Sequence, residues 1–173
     1  MDLQVGMQVL VAVNVSFHPL YSLSLQITDI DPTYTVGALA QAKQRTVERL
    51  QQEGLIERQK QLSLPTLVTR LAVISSDQAA GYGDFTHSLT ESGYRFSTTL
   101  IPAIMQGAAA PASILAALQE IRHLTERFDA VIIIRGGGAT TDLHCFDDYT
   151  LCAACARFPI PILTGIGHTK DVS

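Results

Sequence analysis

Cysteine is scarce, with three in 173 residues, and an odd number in a chain without an export signal leaves no basis for a disulfide framework. Reduced thiols are expected. No apolar run approaches the roughly 20 residues that span a bilayer. Residues 1–6, Met-Asp-Leu-Gln-Val-Gly, lack the basic and apolar regions of a signal peptide, so a cytoplasmic protein with no membrane partner is the expectation. Lysine and arginine are missing from residues 1–33, and the chain carries a formal net charge of −4. Bulk electrostatics therefore do not draw it onto a polyanion, and any phosphate binding has to arise from local geometry. Internal repeats and low-complexity segments are absent too. The 47% of hydrophobic residues, against 16% charged, exclude a disordered chain and suit a buried α/β core.

Residues 5–15 alternate apolar with small or polar side chains, and Leu23-Ser24-Leu25-Gln26-Ile27 resumes the alternation after His18-Pro19-Leu20-Tyr21. This predicts a β-hairpin that ends at Asp29-Ile30-Asp31-Pro32. Two strands alone rarely hold together in water, so the hairpin is expected to belong to a larger β domain cut short. Its unpaired edge is expected to promote self-association. Residues 36–61 are rich in Ala, Gln, Glu, Lys, Arg and Leu and read as one amphipathic helix or two, with Gly54 as a stop. Leu64-Pro65-Thr66 then punctuates the chain.

From residue 71 onward the pattern alternates. Strands are predicted over 71–75, 95–101, 130–134 and 160–164, and helices over 84–92, 111–127 and 147–157. This is the βαβ signature of a parallel sheet flanked by helices, a Rossmann-like α/β fold. Residues 1–33, 34–66 and 67–173 accordingly read as a hairpin segment, a helical connector and an α/β domain. Asp77, Gln106, the Arg135 loop and the Gly165 loop fall just past strand ends and so share one rim. Ligands of open parallel sheets bind beyond that rim.

Two strand ends carry the chemistry. Val131-Ile132-Ile133-Ile134 runs straight into Arg135-Gly136-Gly137-Gly138, and Ile160-Pro161-Ile162-Leu163 runs into Thr164-Gly165-Ile166-Gly167-His168-Thr169-Lys170-Asp171. Glycines there let backbone N–H groups approach a phosphate, and the planar fork of Arg135 suits bidentate contact with one. The alternative is an arginine paired with Asp142 or Asp147 that rigidifies a turn. His168 stands three residues before Asp171, so the carboxylate can fix its tautomer and leave the other nitrogen as general acid or base. The bland reading makes His168 a loop filler. Asp84 reads equally as a cap near the start of a helix or as a site residue that orients water. Cys152 and Cys155, with His144 and Cys145 upstream, are conceivable zinc ligands, but the apolar helix around them favours small core residues. Glu91, Glu120, Glu126 and Asp129 are read as solvated helix and turn charges.

Arg135-Gly136-Gly137-Gly138 followed by Asp142-Leu143 and Phe146, together with Gly167-His168 and Asp171, closely resembles the exonuclease VII large-subunit family. The resemblance implies that residues 71–173 are the first part of a catalytic domain. Residues 1–32 would be the closing strands of an N-terminal OB fold, and residues 36–64 a helical connector. It implies hydrolysis of single-stranded DNA to short oligonucleotides, partnership with copies of a small subunit, and activity that tolerates the absence of divalent metal. No cofactor is then expected, with Mg²⁺ as the alternative. The family positions linked to catalysis correspond to Asp84, Arg135, His168 and Asp171, with Gly136, Gly137 and Gly138 around the phosphate. Three positions depart from the usual pattern: Ala139 stands in place of Ser, Asp147 in place of Asn and Thr169 in place of Glu.

Two rival readings follow from the same residues. In one, Asp84, His168 and Asp171 hold a divalent ion; in the other the chain binds single strands or a nucleotide without reaction. OB folds use aromatic stacking over a basic groove, and Phe17 and Tyr21 without any Lys or Arg make a poor one. The chain by itself is expected to lack robust nuclease activity, because the rim and the assembly helices are incomplete.

Overall fold

The computed structural model describes residues 9–18, 22–136 and 140–167. The chain divides into two compact units, residues 1–45 and 46–173. In the first, β1 (Leu10–His18) pairs antiparallel with β2 (Ser22–Asp31). The register sets Val13 against Ile27, Val15 against Leu25 and Phe17 against Leu23, which gathers six apolar side chains on one face. Asn14, Ser16, His18 and their partners Gln26, Ser24 and Ser22 form the polar face, where Ser16 Oγ lies 2.7 Å from Ser24 Oγ. None of the described residues of the hairpin covers the apolar face, and Phe17 is 73% exposed. Helix α1 (Pro32–Gln52) starts on a proline, whose fixed φ suits a first helical position.

The end of α1 lies in the second unit and closes as a Schellman motif. Gly54 adopts φ +66°, Leu55 N–H donates to the Leu50 carbonyl at 2.8 Å, and Gly54 N–H donates to that of Gln51 at 3.0 Å. Leu50 and Leu55 pack with Ala153. A 3₁₀ turn at Gln59–Gln61 follows. The Gln59 amide donates to the carbonyls of Cys155 and Phe158 at 2.9 and 3.0 Å, and its oxygen accepts from Ile162 N–H at 3.0 Å. One side chain thus ties the connector to the last strand.

The remaining strands and α-helices are β3 (Arg70–Ser75), α2 (Ala80–Glu91), β4 (Ser97–Pro102), α3 (Ala110–Arg122), β5 (Ala130–Ile134), α4 (Tyr149–Ala156) and β6 (Ile162–Gly165), with 3₁₀ turns at Thr125–Arg127 and Thr140–Asp147. Their four strands form one parallel sheet in the order β4-β3-β5-β6. Alternation along the strands divides the core. Leu71, Val73, Ala130, Ile132 and Ile134 pack with Tyr82, Phe85 and Leu89 of α2, whereas Ala72, Ile74, Val131 and Ile133 pack with Ile114, Leu118 and Ile121 of α3 and Leu151 of α4. Strands buried on both faces are why their sequence is a continuous apolar run. The α/β fold read from the sequence is the fold observed.

Several expectations need correction. Helix α2 begins at Ala80, four residues before the predicted start, so Asp84 sits inside it and is not its cap. Two glycines in its first turn hid the helix. Helix α1 starts earlier than expected and ends at Gln52, with Gly54 as the stop. Asp129 is not a solvated charge: it is 9% exposed, and it accepts from Thr69 N–H, Arg70 N–H and the Arg70 guanidinium at 2.6–3.0 Å. The Arg70 side chain and those two amides hold its carboxyl well below the usual carboxylate range. No periodicity in sequence reports such a pairing. The cysteines pack as small apolar residues, Cys145 and Cys155 against the α3 side of the core and Cys152 beside Leu50 and Leu55. Burial pushes the Cys155 thiol up to about 12, and among the described residues no group of three or more His, Cys, Asp or Glu is placed to hold a metal.

Candidate functional site

The four parallel strands end together, and short bonds hold their tips in register. Ser75 Oγ, fully buried at the end of β3, donates to the Ile134 carbonyl at 2.8 Å. Ala103 N–H after β4 donates to the Ser75 carbonyl at 2.9 Å, and Arg135 N–H donates to the Gly165 carbonyl of β6 at 3.1 Å. The buried serine satisfies a carbonyl that has run past its ladder partner. The rim is therefore built before any ligand arrives.

Arg135 is 7% exposed and leaves β5 directly into Gly136. A Cβ on Gly136 would lie 3.2 Å from the Gly81 nitrogen and 3.5 Å from that of Ala80, and one on Gly81 would lie 3.1 Å from the Gly136 Cα. Backbone meets backbone here. Ala79, the residue before α2, offers no side-chain cap to the first turn. The amide-rich, positive end of a twelve-residue helix thus abuts the Arg135 loop, and both favour an anion.

Two hollows meet at Ala80, Arg135 and Gly136. The larger, about 590 Å³, runs along α2 and the β5–β6 edge and is bordered by Asp84, Ser88, Thr164 and Gly165. The other, about 450 Å³, lies between the loops after β3 and β4. Asp84 projects from the second turn of α2, is exposed, and has no carboxylate partner among the described residues. It is the single carboxylate among the described residues bordering the larger hollow. Any divalent ion held there needs further ligands from outside those residues. The structure thus brings Asp84, Arg135 and Gly136 to one place. Gly137, Gly138, His168 and Asp171 lie outside the described residues.

Sequence reading missed the part played by Gly81 and Ser75. The signal available was the Gly-Tyr-Gly at residues 81–83, which marks a close approach once the segment is read as helix. Also missed was the tether between the end of α1 and α4. Glu53 accepts from Tyr149 Oη at 2.7 Å, from Arg157 at 2.7 Å and from Arg49 at 3.1 Å, while the Arg49 guanidinium stacks 3.5 Å over the Tyr149 ring. The Tyr149 hydroxyl and the two guanidinium groups lower the Glu53 carboxyl.

The fold and rim define an α/β protein whose parallel sheet sets Arg135 beside a helix start at its carboxyl edge. The family model "Exonuclease VII, large subunit" matches residues 55–173. The exodeoxyribonuclease 7 large subunit of Deinococcus radiodurans is 38% identical over 173 residues, spanning 98% of this chain and 42% of the relative. That of Lacticaseibacillus casei is 35% identical over 173 residues, 99% of this chain and 38% of the relative. The Nostoc protein of the same name is 38% identical over 138 residues, 80% of this chain and 33% of the relative. The chain belongs to the exonuclease VII large-subunit family, and it spans about two fifths of the length of the first two relatives.

Proposed function

We propose that this chain is the portion of an exodeoxyribonuclease that carries its hydrolytic rim, acting on phosphodiester bonds of single-stranded DNA and releasing short oligonucleotides. The observation that supports this most is the meeting of Asp84 and Arg135, from different βα units, at one hollow beside an uncapped helix start. Arg135 and the N–H groups of residues 136–138 hold the scissile phosphate, as preorganised donors aimed where charge develops. His168 is general acid or base, oriented by Asp171, and Asp84 positions water or assists the base. Without a metal, the Arg135 guanidinium supplies the charge neutralisation that Mg²⁺ gives elsewhere. The β1–β2 hairpin belongs to an OB-like domain, and the partners are single-stranded DNA and a small subunit.

The test is Arg135→Lys in the large subunit assembled with its small subunit, read as acid-soluble fragments released from labelled single strands. Lysine keeps the charge but loses the fork, so a fall of about 10²–10³ in rate is expected, the size seen when one oxyanion donor is removed. A full rate refutes the assignment. Cleavage that persists in excess chelator favours the metal-free route over an ion held by Asp84, His168 and Asp171.

A further inference from the structure

The hollow between the loops after β3 and β4 shares Arg135 with the hydrolytic rim but has no part in the roles assigned above. Among the described residues its lining contains no acidic side chain. Met105, 5% exposed, and Ile104 supply an apolar wall, while Ser76, Gln78 and Gln106 supply a hydroxyl and two amides. Ser113 Oγ accepts from Ile104 N–H at 2.9 Å and so pins the wall to α3. A volume of about 450 Å³ lies inside the range of small-ligand pockets, about 300–1,000 Å³.

We infer that this hollow seats the base and sugar of the nucleotide next to the scissile phosphate, an inference that rests on the nuclease reading above. A phosphodiester held at Arg135 and Gly136 has two neighbouring nucleosides, and two hollows open on the residues that hold it. The Asp84 hollow takes the reacting side. The Met105 hollow takes the other, because a thioether and an aliphatic wall accept any base face, and neutral amides pair with base edges without repelling the backbone. Such a wall favours no single base.

The experiment titrates the 173-residue chain, labelled at every nitrogen and at methionine methyls, with three probes: inorganic phosphate, a 5′-phosphorylated thymidine dinucleotide, and its abasic analogue. The dinucleotide is expected to shift Met105, Gln78 and Gln106 together with Arg135 and Gly136, whereas phosphate and the abasic analogue shift only Arg135 and Gly136. Gln106→Ala, an exposed position that leaves the fold intact, is expected to weaken the dinucleotide about fivefold, the worth of one hydrogen bond, with the phosphate titration unchanged. Dinucleotide shifts confined to Arg135, Gly136 and Asp84, or equal affinity in Gln106→Ala, overturn the subsite and leave the nuclease reading standing. Silence at Arg135 with every probe overturns both.

Discussion

Alanine at Gly81 and alanine at Gly83 are the same chemical change, two residues apart in nearly the same turn of α2, and the structure gives them opposite consequences. Either substitution relieves the entropic penalty of glycine in a helix, a gain of up to about 1 kcal/mol. At Gly83 none of the described residues lies within 4 Å of the added methyl, so the gain stands alone. At Gly81 the methyl lands 3.1 Å from Gly136 Cα and 3.3 Å from both Gly136 N and Ile134 Cγ2. Two of those neighbours are backbone of the Arg135 loop, so the loop must move, and overpacking of this kind costs about 1–3 kcal/mol. The two variants should therefore differ in stability by about 1–3 kcal/mol, Gly83→Ala above the parent and Gly81→Ala below it. With a urea dependence of about 1–3 kcal/mol per molar, their unfolding midpoints separate by about 1 M. Urea titration followed by helical circular dichroism reads this directly. A Gly81→Ala midpoint equal to or above that of Gly83→Ala refutes the claim that helix and loop are packed backbone to backbone.

Four other outcomes are expected. Asp129→Asn removes the charged partner of Arg70 and two amides and should cost about 2 kcal/mol at neutral pH, a hydrogen-bonded carboxylate's worth. Because folding lowers this carboxyl, its contribution is full above the unfolded value of about 4 and is lost as pH falls toward the folded one, so parent and variant stabilities should converge in acid. A gap that stays constant with pH contradicts the pairing. Leu55→Ala, which empties the closing contact of α1, should cost about 2–5 kcal/mol, whereas Leu64→Ala at an exposed site should stay within about 0.5 kcal/mol; thermal unfolding compares them. The bare apolar face of the hairpin should drive concentration-dependent self-association, and Val15→Lys with Leu25→Lys should abolish it in sedimentation velocity; identical behaviour of the two proteins clears the hairpin of responsibility. Cleavage of single strands by the 173-residue chain alone should be absent or slight, and robust turnover would show that this segment needs neither partner nor further sequence.

The central strands β3 and β5 were legible because strands covered on both faces write an apolar run, and β5 was read at its observed limits, Ala130–Ile134. Boundaries were least legible where glycine served packing instead of punctuation. Gly81 looked like loop, yet it lies in a helix whose approach to Gly136 tolerates no side chain. Gly54 read correctly as a stop, because there the positive φ is a local property of the chain. Asp129 and Gln59 were illegible for a third reason: each is defined by partners about 60 to 100 residues away, Arg70 in one case and Ile162 in the other.

Local pattern alone therefore determined the α/β class, the parallel sheet and the strand end that bears Arg135, since these depend on periodicity and on residue types adjacent in the chain. Tertiary structure decided the strand order, the seating of Asp84 inside α2, and the juxtaposition of that helix start with the Arg135 loop. A rim assembled from separate strand tips depends on which strands become neighbours, and that choice is made by the packing of side chains distant in sequence.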